Sequence, residues 1–270
     1  MSRLVLPERV RLRYRKVGRV RFTSQRDLAR VMERAMRRCG LPLAHSSGFS
    51  PRPLLSFGLA LPTGCASLSR SGSRRRSRYS ASDAVEVVGH DAADPADLAH
   101  LCRRLSEALP DGVDVTAAAA LFGPEPSLQE AVASCDWELE VLGVSPAVMT
   151  GRVERTLGAE TVEVARERKG RAVVDDIRPA ILALSVVDRP PHELEGHGEV
   201  VSLAASLATR PRGVRPAELL GALGDDVRLL AACRTHQWMD HDERSARTEP
   251  LTEDGTVWGG PPARTEVRGG

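Results

Sequence analysis

Residues 10–42 read VRLRYRKVGRVRFTSQRDLARVMERAMRRCGLP, and the spacing of the apolar positions changes once within them. Val10, Leu12 and Tyr14 alternate with Arg11 and Arg13, a period of two that marks a strand; Val20-Arg21-Phe22 resumes the alternation after Lys16-Val17-Gly18. This predicts a hairpin, or a strand broken by a turn, with Val10, Leu12, Tyr14, Val20 and Phe22 facing a core. Arg11, Arg13 and Arg21 then fall on the opposite face, either merely solvated or lining a phosphate-binding surface.

From Ser24 the period becomes helical. Ser24-Gln25-Arg26-Asp27 has the form of a capping box, and Leu28, Val31, Met32, Ala35, Met36 and Cys39 share one helix face. Gly40 and Pro42 stop the helix, and Arg37 and Arg38 suit the negative end of its dipole. Arg26, Arg30, Arg34 and Arg37 or Arg38 recur along the outer face. Ser24 and Asp27 resemble a nucleophile with an acid partner only if this capping role is set aside.

The loop that follows, His45-Ser46-Ser47-Gly48-Phe49-Ser50-Pro51-Arg52-Pro53, cannot be helical and is stiffened by its prolines. A strand is expected next, with Leu55, Phe57, Leu59 and Leu61 on one face, ended by Pro62-Thr63-Gly64. The Ser/Arg/Gly tract of residues 66–83 has no apolar period and cannot build core. Val85 and Val87 then suit a strand, Asp94-Pro95 opens a helix through Leu109, and Val113 with Val115 begins a further strand. The order is strand-helix-strand-strand-helix-strand, that of ferredoxin-like folds.

Gly123-Pro124-Glu125-Pro126 marks a linker, and a second α+β unit follows. Strands are expected at Trp137–Val141, Val162–Val164, Val173–Val174, Ile181–Val187, Val200–Leu207 and Val227–Leu230; helices open at Ser145-Pro146 and Arg215-Pro216. The predicted fold is α+β, two ferredoxin-like (RRM-like) domains in tandem. Their expected bounds are 1–122, a linker over 123–134, 135–238, and a disordered tail over 239–270.

Charge is divided unevenly. Residues 1–80 hold 19 Lys and Arg against 3 Asp and Glu, a balance of +16, so with a net charge of +2 the remainder carries −14. A basic end attracts phosphate both at long range and through bidentate arginine contacts. No apolar run approaches the length needed to span a bilayer and the N-terminus lacks a secretory signal, so no membrane association and a cytoplasmic location are expected. The five cysteines (Cys39, Cys65, Cys102, Cys135, Cys233) are too dispersed to hold zinc or an iron-sulfur cluster by local spacing, and His192, His197, His236 and His241 lack helix-face spacing. No metal site is expected.

His45 is the one candidate for a general base, with no carboxylate following in the loop to orient it. The loop itself combines Gly48 for close backbone approach, Ser47, Ser50 and Arg52 as donors, and Phe49 as a stacking surface. Together with Arg11, Arg13, Arg21, Arg30, Arg34 and His45, these residues suit a site for RNA or another anionic ligand. A rigid structural turn is the competing reading. The loop lacks the glycine-lysine ending of a Walker loop and any dinucleotide fingerprint.

Residues 11–24, Asp27-Leu28, Arg37 to Pro42, and Ser47-Gly48-Phe49-Ser50-Pro51-Arg52-Pro53 with Ser56-Phe57 resemble the bacterial radical SAM-linked family, a domain of unknown function encoded beside or fused to cobalamin-type radical SAM proteins. Asp175-Asp176-Ile177-Arg178-Pro179 and Gly213-Val214-Arg215-Pro216-Ala217-Glu218-Leu219-Leu220 resemble it more weakly. The resemblance implies a radical SAM partner carrying an iron-sulfur cluster and S-adenosylmethionine; this chain has no Cys-x-x-x-Cys-x-x-Cys motif and is expected to bind neither. An accessory module without activity of its own follows. The alternatives are a metal-independent endoribonuclease resembling CRISPR-repeat-processing nucleases, with His45 as base, and a protein scaffold. After Gly64 the chain departs from the family pattern, with the Ser/Arg/Gly tract in place of acidic and aromatic strand residues.

Overall fold

The computed structural model describes residues 9–63, 65–67, 83–88, 96–121, 127–168, 170–188, 192–194, 198–240 and 247–252. Most of the Ser/Arg/Gly tract, the Gly123-Pro124-Glu125-Pro126 linker and residues 253–270 lie outside them. In chain order the elements are β1 (Arg9–Lys16), α1 (Gln25–Arg38), β2 (Leu55–Phe57), β3 (Ala66–Ser67), β4 (Asp83–Val88), α2 (Ala96–Ala108), β5 (Val113–Leu121), α3 (Leu128–Ala131), β6 (Val132–Leu142), α4 (Pro146–Gly158), β7 (Glu163–Arg168), β8 (Arg171–Asp176), β9 (Ile181–Val186), β10 (His192–Leu194), β11 (Gly198–Ala208), α5 (Pro216–Leu223), β12 (Arg228–Asp240) and β13 (Arg247–Thr248).

The fold is α+β, and its strands pair antiparallel except where β3 meets β12. In the N-terminal half the strands lie in the order β5-β1-β4-β2; in the C-terminal half the order is β9-β11-β6-β12. Two cores follow. One gathers Val10, Leu12 and Tyr14 of β1 with Leu28, Met32 and Met36 of α1 and Leu101 and Leu105 of α2. The other packs Leu139 and Val141 of β6 and Leu203 and Leu207 of β11 against Met149 of α4 and Leu219 and Leu220 of α5.

The halves are spliced at β3. Its Ser67 pairs with Lys16 of β1, while Ala66 and Ser67 run parallel to Cys233 and Arg234 of β12. Leu61 and Cys65, from the N-terminal half, are buried in the C-terminal core. In the other direction β13 pairs with the end of β12, and Leu251 packs on Ala117 and Ala119 of β5.

That second crossing corrects the expected face of β1. Arg11 and Arg13 are not solvated: they are 0% and 3% exposed. β1 is an internal strand covered on both sides, by the helices on its apolar face and by residues 249–251 on its arginine face. Arg11 Nη1 donates to the Pro250 carbonyl at 2.9 Å, and Arg13 Nη2 lies 3.6 Å from Glu249 Oε1. Alternation shows which residues share a face, and here a distant segment covers the polar one.

Four further expectations are revised. Val20-Arg21-Phe22 is no strand but part of a 3-10 turn over Gly18–Phe22, entered with Gly18 at φ 65°. The strand after the loop ends at Phe57, because Gly58 turns the chain against the buried Gln237 side chain. The 123–134 linker already contains α3, capped by Ser127, and the start of β6. The 239–270 tail holds the end of β12, β13 and the buried Pro250 and Leu251, so it is not disordered throughout.

Interlocking of this kind predicts one cooperative unfolding transition. Leu61→Ala is expected to lower stability by about 2–5 kcal/mol, and Arg13→Ala by about 3–5 kcal/mol through loss of the buried guanidinium that faces Glu249. Both would shift a single urea transition; two separate transitions, or shifts under about 1 kcal/mol, would show that the halves stand alone.

Candidate binding site

The described part of the site begins with α1. Ser24 is its N-cap: the Asp27 backbone N–H donates to Ser24 Oγ at 3.2 Å, and Ser24 Oγ donates to Asp27 Oδ2 at 2.8 Å. The pair caps the helix and is removed from any catalytic list. With Leu28, Met32, Ala35 and Met36 buried, Arg26, Arg30, Arg34, Arg37 and Arg38 point to solvent. Asp27 and Glu33 answer two of them, at 3.2 Å from Arg30 and 3.4 Å from Arg37, both exposed pairs of small energy.

The loop after α1 is a hairpin-shaped finger leading to the edge strand β2. His45 pairs with Pro53 in an isolated antiparallel bridge, Ser46 N donates to the Arg52 carbonyl at 2.8 Å, Leu54 N donates to the Ala44 carbonyl at 2.9 Å, and Arg52 N donates to Ser46 Oγ at 3.1 Å. These bonds close the finger's base. Ser47, Gly48, Phe49 and Ser50 form its tip, all exposed, with Gly48 at φ 141° where an L side chain would be strained. The Phe49 ring is fully exposed.

His45 is exposed, and its Nδ1 lies 2.9 Å from the Leu43 carbonyl, a bond that needs the ring proton on Nδ1. Among the described residues no carboxylate meets it. The bond to Leu43 holds the ring with Nε2 as its acceptor nitrogen.

The structure therefore divides the expected site. His45, Ser47, Gly48, Phe49, Ser50 and Arg52 come together on the finger, and Arg30 and Arg34 stand on the outer face of α1. Arg11 and Arg13 leave the site, since α1 covers the other side of β1. Arg21 is half-buried with its guanidinium 4.6 Å from the centre of the Phe22 ring. Phe22 was expected in the core and is instead 59% exposed. The signal lay in its crowding: Gly18 and the Ser24 cap leave too few residues between them for a second strand.

The later motifs are structural. Asp176 accepts the backbone N–H groups of Val162 and Arg178 at 2.7 and 2.9 Å, while Arg178 donates to the Leu157 and Ile181 carbonyls at 2.7 and 3.1 Å. Asp175 binds Arg166 and Arg212, and Arg212 continues to Glu218, tying the β7–β8 hairpin to α5. Burial raises the Cys39 and Cys65 thiols and pushes Cys102 up to about 11, which lowers their thiolate character. Among the described residues no cluster of His, Cys, Asp and Glu could hold a metal ion, and no helix is long and apolar enough to cross a membrane.

Fold and site together define an α+β protein of two interlocked halves, with a basic outer face on α1 and an aromatic-tipped finger that leads to the edge strand β2. It belongs to a bacterial family of uncharacterized proteins, DUF2344, whose pattern matches residues 9–71 and 79–216. The break in that match, residues 72–78, falls inside the Ser/Arg/Gly tract. The family's description names no radical SAM partner. No curated protein matches the chain. Among solved structures, a chain from a crystal structure of a Cbf5-Nop10-Gar1 complex aligns with TM-score 0.42 and 8% identity, over 84% of this chain and 48% of that one. The present chain thus spans about half the length of that neighbour.

Asp176 and Asp226 carry the acid sensitivity of the C-terminal half. The two backbone N–H groups hold Asp176 below the usual carboxylate range, and the Arg152 side chain does the same for Asp226. Depressed folded values stabilise the protein above the ordinary Asp value of about 3.9 and stop doing so as pH falls through the folded values. Urea midpoints measured from pH 5 downward are expected to drop below about pH 4, and less steeply in Asp176→Asn; an unchanged slope in that variant would contradict the assignment.

Proposed function

We propose that the chain is an accessory module that binds single-stranded RNA, without activity of its own, and serves a radical SAM partner that carries the iron-sulfur cluster and S-adenosylmethionine. The observation that carries the RNA reading is the outer face of α1: five exposed arginines, with an exposed Phe22 just before the helix and the Phe49 finger following it in the chain. Arginines that track phosphates beside rings on which bases stack are what sequence-tolerant single-strand binding requires. The finger's closed base supports this reading, because a preordered aromatic loses little freedom on binding. His45, which meets no carboxylate among the described residues, favours binding over cleavage. The partner reading rests on the sequence resemblance.

We also infer that each half is ferredoxin-like. Numbering the four main strands of each half in chain order gives the spatial order fourth-first-third-second in both, with helices after the first and third; β3 and the β7–β8 hairpin are additions to that plan.

The test is binding of a short fluorescent single-stranded RNA. Affinity is expected to fall steeply with salt. Phe49→Ala is expected to cost about 1–3 kcal/mol, roughly 5- to 150-fold, and Arg30→Ala with Arg34→Ala to flatten the salt dependence. Salt-independent binding, or Phe49→Ala at wild-type affinity, would overturn the assignment, and metal-independent cleavage lost in His45→Ala would replace it with the nuclease reading. Co-purification from native cells, with protein and RNA both identified, tests the partner.

A further inference from the structure

Residues 247–252 form a strap across the sheet face that lies away from the helices. Arg247 Nη1 donates to Ser206 Oγ of β11 at 3.3 Å, Thr248 pairs with Met239 of β12, the Pro250 carbonyl accepts from Arg11 of β1, and Leu251 packs on Ala117 and Ala119 of β5. The strap thereby reaches from one half of the protein to the other. Glu249 stands at its middle.

His236 of β12 lies between two carboxylates that come from different elements. Its Nε2 is 4.0 Å from Glu249 Oε1 of the strap, and its Nδ1 is 4.0 Å from Asp136 Oδ2 of β6. The ring stacks on Trp238, with centroids 5.1 Å and planes 15° apart, and the Trp238 indole N–H donates to the same Asp136 oxygen at 2.7 Å. A neutral imidazole has one N–H and one lone pair, so it can answer one of these carboxylates and turns a lone pair toward the other. The imidazolium has two N–H groups and answers both. Histidine is the side chain whose charge ordinarily changes between about pH 5 and 8.

Other charges face the same region. Glu138 shares the sheet face of Asp136 on β6, Arg11 and Arg13 come from β1, and Arg247 from the strap itself. Arg13 Nη2 lies 3.6 Å from the Glu249 oxygen that faces His236, so Glu249 keeps a cation beside it when the ring is neutral. The Asp136 and His236 side chains are 30% exposed and that of Glu249 17%, so solvent screens their contacts in part.

We propose that His236 is a proton-operated latch on this strap. With the ring charged, it ties Asp136 in the C-terminal half to Glu249, which also faces Arg13 in the N-terminal half; with the ring neutral that tie is lost and the strap stays seated on its remaining contacts. Because the closed latch favours the charged ring, its contribution is present toward pH 5 and fades toward pH 8. The latch does not depend on the RNA reading.

The test follows two NMR signals of the full-length protein from about pH 8 to about pH 5. The Trp238 indole N–H reports the charge on His236, and the Leu251 methyls report the seat of the strap on β5. In the wild type both are expected to move together. In Glu249→Gln the Trp238 signal is expected to move while Leu251 stays in place, and in His236→Gln neither moves. Urea unfolding of the wild type, these two variants and their combination, at the two ends of that range, gives the His236–Glu249 coupling as a double-mutant cycle. The coupling is expected to change the folding equilibrium roughly two- to fivefold at the acid end, the scale of partly exposed ion pairs, and to vanish at the alkaline end. A wild-type Leu251 signal that ignores pH, a Leu251 shift that survives either substitution, or a coupling equal at the two pH values would each overturn the latch.

Discussion

The protein depends on a crossing of the chain at residues 58–67. Gly58 lies so close to Gln237 that an added Cβ would sit 3.2 Å from both its amide atoms. Arg234 holds the Leu59 carbonyl, Leu61 and Cys65 enter the second core, and β3 bridges β1 to β12. Each contact joins residues far apart in sequence, so its loop-closure entropy is recovered only when both halves are folded. The buried cations make the crossing more demanding still. Lys16 donates to the Thr23 carbonyl at 2.6 Å, and Arg234 is buried beside Trp137; a buried charge destabilises unless its hydrogen bonds form, which ties the register of these strands to the completed fold.

From this crossing the geometry of the finger follows. The segment that enters the second core at Leu61 leaves the finger at Leu54, so the base is held at one end by β2 pairing with β4 and at the other by α1. Backbone bonds between residues 44–46 and 52–54 then need no help from the tip. That is why Phe49 can stand fully in solvent: its position is set by the base, and its apolar surface is left exposed instead of being spent on packing.

Most of the fold was legible because its signals are local. The Ser24 cap, the spacing from Leu28 to Cys39, the Gly40 and Pro42 stop and the alternation along β6 each determine an element through its immediate neighbours. What escaped were features set by distant residues. Arg11 and Arg13 carry the pattern of a solvated strand face, and only the arrival of Glu249 and Pro250 from the far end of the chain makes that face an interior. Leu59 and Leu61 keep the parity of Leu55 and Phe57, yet Gly58 diverts them to another core. The finger was legible as an irregular loop for a different reason: Gly48 between Ser47 and Phe49, followed by Pro51 and Pro53, has no use in a regular element.

The charge asymmetry takes on a more specific meaning once the arginines are sorted by position. Arg11, Arg13 and Arg234 are interior and hold strands and crossings in register, so they add nothing to contact with an outside polyanion. Arg15 is answered by Asp114 at 2.6 Å. Of the seven exposed arginines among described residues 9–67, five lie on α1 and one, Arg52, on the finger, and Asp27 and Glu33 each pair with one on the helix. Clustered surface charge of this kind attracts a polyanion more effectively than the same charge spread over the molecule, because potentials add within a Debye length of about 8–10 Å. The net charge of +2 conceals this, and so does the total for the first 80 residues: the charge exposed from that stretch is a smaller set, most of it facing solvent on one helix.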